Sequence, residues 1–241
     1  MTWSLIARDA SGAFGVAIAS RFFAVGALCP QAASGVGALA TQALMNPLYA
    51  HQALEAMVQQ VDPAEIVRTL TAADAGRDHR QLHLIDRAGR IAAHTGTACI
   101  AWCGHRAGPD FSVAGNMLAG AAVLEDTAAA FMADPALPFA LRLIAAMAAG
   151  EAAGGDKRGK QAAALLVCTT EAYPALDLRV DDHPDPIAEL RRLYDRSLER
   201  FQPFLACLPS RSNPAGITDR AMIEAEIARF QSTRPGRSGS A

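Results

Sequence analysis

No stretch of this 241-residue chain is apolar for long enough to cross a bilayer, and its first apolar run is interrupted by Arg8 and Asp9. A transmembrane helix and a secretory signal are therefore not expected, and the cytoplasm is the expected location. An excess of one charge is also missing. The 22 Lys and Arg stand against 24 Asp and Glu, for a net charge of −2, and are scattered along the chain. Without a concentrated positive field, neither nucleic acid nor anionic lipid is an expected partner.

Cysteine is scarce and irregularly placed: Cys29, Cys99, Cys103, Cys168 and Cys207 are odd in number, and no pair has the two-residue spacing of zinc ribbons or thioredoxins. Buried thiols in a reducing compartment are expected rather than a disulfide framework. The histidines have no zinc spacing either. His79 and His83 are read as sharing a strand face, His105 as lying in a loop, and His183 as following Asp181 and Asp182. No metal and no cofactor are expected.

Hydrophobic residues make up 51% of the chain, enough for one substantial core. Residues 1–210 are read as a single domain. Residues 211–241 are read as an extension, weakly helical from Ile217 to Phe230 and then, over the last ten residues, too polar to pack.

Trp3 to Arg8 and Ala13 to Ala19 read as a hairpin around the turn Asp9-Ala10-Ser11-Gly12. In the second strand Phe14, Val16 and Ile18 present bulk on one face, while Gly15, Ala17 and Ala19 leave the other open to close neighbours. A third strand is expected over Gly35 to Gln42. Two helices follow, the second started by Asp62 as cap, Pro63 in the first turn and Glu65 placed to reach back.

Strands at Gln81 to Asp86, Arg90 to His94 and Phe111 to Asn116 come next, then two helices, the latter ending before Gly150. Strands at Ala162 to Cys168 and Leu176 to Val180 lead into a helix that begins at Asp185-Pro186, carries apolar residues as far as Phe201 and stops before Pro203. Strands and helices thus occur in segregated runs, which predicts an α+β fold in which antiparallel sheets are covered by helical layers. The Ala-rich and Gly-rich helices can pack within a protomer or between two, so a homodimer is a further expectation.

Thr2 starts the first strand. A threonine hydroxyl is a weak nucleophile, but a threonine freed of Met1 carries its own base, an α-amine with an ordinary pKa of about 7.7–8.0. Aminopeptidases that remove initiator methionine favour a small second residue. Position two is otherwise simply the second residue of a chain.

Several segments carry a resemblance: Thr2 to Asp9, Gly15 to Gly26, Gly35 to Gln42 with Asn46-Pro47, Gly115 to Leu118, Gly154 to Gln161, and Leu178 to Pro186. Together they resemble a bacterial family of unknown function within the N-terminal-nucleophile (Ntn) hydrolase superfamily, over roughly Thr2 to Leu193. The resemblance implies a four-layer αββα sandwich, distantly like a proteasome β subunit, and hydrolysis of an amide bond in a small-molecule substrate. The proteasome-type Asp-Ser-Arg triplet is replaced here by Ala19-Ser20-Arg21, with no obvious partner lysine.

The candidate catalytic residues are Thr2 as nucleophile, Asn116 as an amide donor to the oxyanion, and Ser20 as a proton relay. The bland roles are a turn asparagine for Asn116 and a turn cap for Ser20. Arg21 can fork onto a substrate carboxylate or make a structural ion pair. Gln42 and Asn46 can offer amides to a pocket, although loop geometry before Pro47 also explains Asn46. Asp156 and Arg158 lie in a glycine-flanked loop suited either to an anionic substrate group or to solvent. The rival reading is a non-catalytic Ntn-like protein that binds a metabolite. A structural subunit of a larger assembly is a third.

Overall fold

The computed structural model describes residues 2–233. Met1 and the polar tail from 234 on lie outside the described residues, so neither the removal of Met1 nor the expected disorder of the tail is addressed by the structure. The chain divides into two compact units, the first ending at Arg191 and the second beginning at Arg192. That division falls upstream of the break expected at residue 210.

In the first unit, strands β1 (Thr2–Arg8) and β2 (Phe14–Ser20) form the expected hairpin. Strands β3 (Pro30–Ala33) and β4 (Gly37–Ala43) precede helices α1 (Leu48–Val58) and α2 (Pro63–Ala73). Next come β5 (Arg80–Asp86), β6 (Ile91–Thr95), β7 (Gly104–Gly108) and β8 (Phe111–Asn116), then α3 (Ala122–Ala133) and α4 (Phe139–Ala152). Strands β9 (Ala162–Cys168) and β10 (Leu176–Val180) follow. Helix α5 (Pro186–Ser197) runs across the division.

All pairings are antiparallel. One sheet has the order β10-β9-β2-β1-β8-β7 and the other β3-β4-β5-β6. The two sheets face each other, with α3 and α4 outside the first and α1 and α2 outside the second. This is the four-layer αββα sandwich.

Period-two alternation builds the layers. On β4 and β5, Leu39, Leu82 and Leu84 pack with Tyr49, Ala53, Met57 and Ile66 of the helical layer, while Ala38, Ala40 and Ile85 meet Ile6, Phe14 and Val16 of the opposite sheet. The open face of β2 does what its small residues imply. A Cβ on Gly15 would stand 2.4 Å from Leu143 Cδ1 of α4, so the missing side chain is the space that the helix fills.

The departures have local causes. Strand β3 lay hidden because Pro30 opens it, which an edge strand tolerates since one row of its donors faces no partner. Strand β7 is also an edge with an exposed middle, so it shows no alternation; His105 belongs to it and not to a loop. His79 closes a 3-10 turn, Arg77–His79, and does not share the strand face of His83. Asp62 caps α2 through Ala64 N at 2.9 Å, but Glu65 bonds Arg68 and Thr69 instead of reaching back.

Gly150 lies inside α4, not beyond its end. In the second unit Phe201 begins a separate short helix, α6 (Phe201–Leu205), which contains Pro203, and α7 (Arg220–Ser232) starts on an Asp219 cap. No helix among the described residues is long and apolar enough to cross a membrane.

Candidate active site

Thr2 occupies the first position of β1, a central strand, so it has a neighbour on each side: Ser20 ends β2 and Asn116 ends β8. Its hydroxyl reaches the Ser20 hydroxyl at 3.1 Å. Asn116 Nδ2 donates to the Thr2 carbonyl at 3.4 Å and to Gln81 Oε1 at 3.1 Å. Both amide hydrogens are thereby used. Asn116 holds Thr2 in place, and in this arrangement it does not aim a donor at an oxyanion.

Thr2, Ser4 and Ile6 point between the sheets, as do Gln81, His83 and Ile85 from the opposite side. The polar ends of these rows meet in a buried network that sequence reasoning did not assemble. Gln42 Nε2 donates to Gln81 Oε1 at 2.7 Å, and Ser4 donates to Gln42 Oε1 at 2.8 Å. Because the Ser4 proton is committed to Gln42, Ser4 Oγ must accept from His83 Nε2, 2.8 Å away. His83 Nδ1 then accepts from Ser112 Oγ at 3.0 Å.

Burial holds His83 neutral, its pKa lowered to about 3, with the His105 charge adding to the effect. Gln81 Nε2 faces Gly115 O, Gly104 O and Thr95 Oγ1 at 2.9–3.0 Å. The signal for Gln81 and His83 was their two-residue spacing with Ile85, which places polar and apolar residues on one face of one strand. Gln42 is fully buried within this network.

The loop after α4 builds the other wall. Gly154, Gly155 and Gly159 take positive φ values of 113°, 47° and 106°, which curls the chain around Asp156. The Asp156 carboxylate, with its side chain 1% exposed, accepts from Arg21 N and Arg158 N at 2.8 Å each and pairs with the Arg158 guanidinium at 3.2 Å. Such a buried charge is tolerable because backbone donors and a cation surround it. Asp156 thus ties the end of β2 to the loop, and the Arg21 guanidinium, which donates to Arg158 O, lies beside Gly159.

Asn46 belongs elsewhere. Its amide donates to Asp74 at 3.3 Å, a carboxylate also bound by Tyr49 and Arg80. That cluster braces the start of α1.

Three hollows lie around this end of the sandwich. One of about 110 Å³ is lined by Ser20, Asp156 and Lys160 among others, and one of about 290 Å³ by Arg21, Lys160 and His183. A third, about 300 Å³, is lined by Asn116, Met117 and Arg158 with several apolar side chains. Thr2 itself is 5% exposed. Burial pushes the thiols of Cys29 and Cys168 up, to about 12 and about 11, so neither is a competing nucleophile at neutral pH. Among the described residues no cluster of His, Cys, Asp and Glu could hold a metal ion.

The pattern of the family of unknown function DUF1028 matches residues 2–190. The chain is similar to the crystal structure of protein SPO2555 from Silicibacter pomeroyi, at 32% identity with 90% of this chain and 96% of that one covered and a TM-score of 0.84. A match to Anbu, an ancestral beta-subunit from Yersinia bercovieri, has 13% identity over 81% of this chain and 94% of that one, with a TM-score of 0.38. No curated protein matches.

Proposed function

Since this chain belongs to the DUF1028 family of unknown function, its chemistry must be argued from its own residues, and we propose that it is an N-terminal-nucleophile amidohydrolase acting on a small amide or related carbonyl. The observation that carries this reading is the setting of Thr2: first residue of a central strand, hydroxyl on Ser20, carbonyl on Asn116, with those two neighbours opening on separate hollows. Loss of Met1 frees the α-amine as base. Thr2 Oγ1 attacks the amide carbonyl, the proton passes to the α-amine directly or through Ser20, and the C–N bond breaks as the leaving amine takes that proton. Water then cleaves the Thr2 ester and regenerates the hydroxyl.

Asn116 is a positioning residue here, and Gln81 holds Asn116 in turn. No lysine takes the role it has in proteasome-type sites: Lys157 donates to Ala101 O, and Lys160 is paired with Glu151. The α-amine is therefore the required base. Arg21, with Lys160 beside it, suits a carboxylate on the substrate.

The test begins with the intact mass of the purified protein, expected to lack Met1. A screen of small amides then compares wild type with Thr2→Ala, which is expected to lose turnover by about a thousandfold or more. Retained Met1, or equal turnover by the two proteins, would overturn the reading. The second reading, a metabolite-binding protein without turnover, draws on the burial of Thr2, and ligand binding without hydrolysis by the Met1-free protein would favour it.

A further inference from the structure

The hollow of about 300 Å³ beside Asn116 has a mouth of an unusual kind. Phe22, Leu44 and Ile100 line it while remaining 49%, 63% and 56% exposed, so three large apolar side chains from three separate segments converge on one opening. Met117 and Cys99 continue the apolar wall inward. Two of its lining residues, Ala43 at the end of β4 and Met117 just past the end of β8, hold left-handed φ values of 68° and 52°, which non-glycine residues seldom adopt.

The ionisable lining residues are His79, Cys99 and Arg158, with no carboxylate among them. Asp156 answers the Arg158 charge, yet the Arg158 side chain stays 37% exposed, so a guanidinium and no carboxylate is the charged group this lining presents. An apolar mouth costs solvation unless something covers it, and a cation-biased wall selects what does.

The geometry points to a binding site for an apolar carboxylic acid or its acyl group, with the hydrocarbon part against Phe22, Leu44 and Ile100 and the carbonyl end toward the Arg158 guanidinium. This rests on the amidohydrolase reading for its consequence: the substrate class is the amide of an apolar, medium-length acid, whose acyl carbon is brought to Thr2 through the side of Asn116. The binding itself requires no reaction at Thr2, so the two can fail separately.

Octanoate serves as the probe, titrated calorimetrically into the full chain. One molecule is expected to bind per chain. Ile100→Asp and Leu44→Asp, both at exposed positions where folding tolerates a charge, are each expected to weaken it at least about tenfold. Met132→Asp, at another exposed apolar position on α3, is expected to change it less than about twofold. Octylammonium is expected to bind about tenfold more weakly than octanoate, since the lining offers it a guanidinium and no carboxylate.

Absence of octanoate binding, unchanged affinity in both rim variants, or equal binding of octylammonium would overturn the assignment. Thr2→Ala separates the two readings. If it binds octanoate normally yet turns over amides as fast as wild type, the nucleophile is wrong and the acyl site stands. If it loses turnover while wild type ignores octanoate, the reverse holds.

Discussion

Gln81 joins the two sheets through a single amide. Its oxygen accepts from Gln42 and Asn116, and its nitrogen faces Gly115 O, Gly104 O and Thr95. Replacing it with leucine keeps the bulk but strands the two buried donors, Gln42 Nε2 and Asn116 Nδ2, and withdraws the amide nitrogen from Gly115 O, Gly104 O and Thr95 Oγ1. Each stranded group costs about 1–3 kcal/mol, so Gln81→Leu is expected to lower the unfolding free energy by about 3 kcal/mol, measured by urea titration.

At this scale the sequence was legible in part. Thr2, Ser20 and Asn116 are brought together as strand-end neighbours. Asp156 and Arg158 meet Arg21, whereas Asn46 joins a separate cluster and Gln42 is sealed between the sheets. A side chain's identity limits what it can bond, but only its partners reveal which bond it makes.

At the scale of elements, the helix pair α3 and α4 shows how one residue is read two ways. Glycine near a helix end reads as a stop signal, yet Gly150 stands inside α4, where it costs about 1 kcal/mol in helix propensity. The compensation is proximity. A Cβ there would lie 2.2 Å from Thr127 Oγ1 and 3.1 Å from Val123 O of α3, and 2.9 Å from the Trp3 indole nitrogen.

Gly150→Ala is accordingly expected to destabilise the protein by about 2 kcal/mol despite the better helix former. The double variant with Thr127→Ala should recover part of that loss. Thermal denaturation of the four proteins checks both, and a stabilised Gly150→Ala would show that the helices have room to separate. The strands with strong alternation were placed closely from sequence; β3 and β7 were not, because edge position relaxes the pattern that makes strands recognisable.

At the scale of the whole molecule, the two sheets meet over a graded interface: Ile6, Ile85 and Val16 at one end, Ser4, His83 and Gln81 toward the Thr2 end. His83 makes that interface sensitive to pH. Its folded pKa is lowered from 6.5 to about 3, so above about 6.5 it is neutral in both states and contributes no pH dependence. Below that value the unfolded chain takes up the proton and the folded one does not.

Stability is therefore expected to fall by about 1.4 kcal/mol for each pH unit between roughly 6 and 4 from this group. His83→Gln should remove that slope, as read from urea midpoints across the range. An unchanged slope would assign the pH response to the carboxylates, Asp74 foremost, whose folded pKa is lowered chiefly by its bond from Tyr49 and whose contribution fades only as pH drops through the acid range.

The sequence alone determined the layers. Segregated runs of strand and helix, and the bulky and bare faces of β2, were enough for two antiparallel sheets between helical layers, because alternation records which side of a strand must be buried. It also determined that Thr2 would begin the first strand. What tertiary structure decided was the company that strand keeps. Ser20 and Asn116 lie 18 and 114 residues away along the chain from Thr2, and Gln81 is held to Asn116 across a separation of 35. Such bonds depend on strand order and register across the sheets, which no local pattern encodes, so the site is a property of the sandwich and not of any one segment.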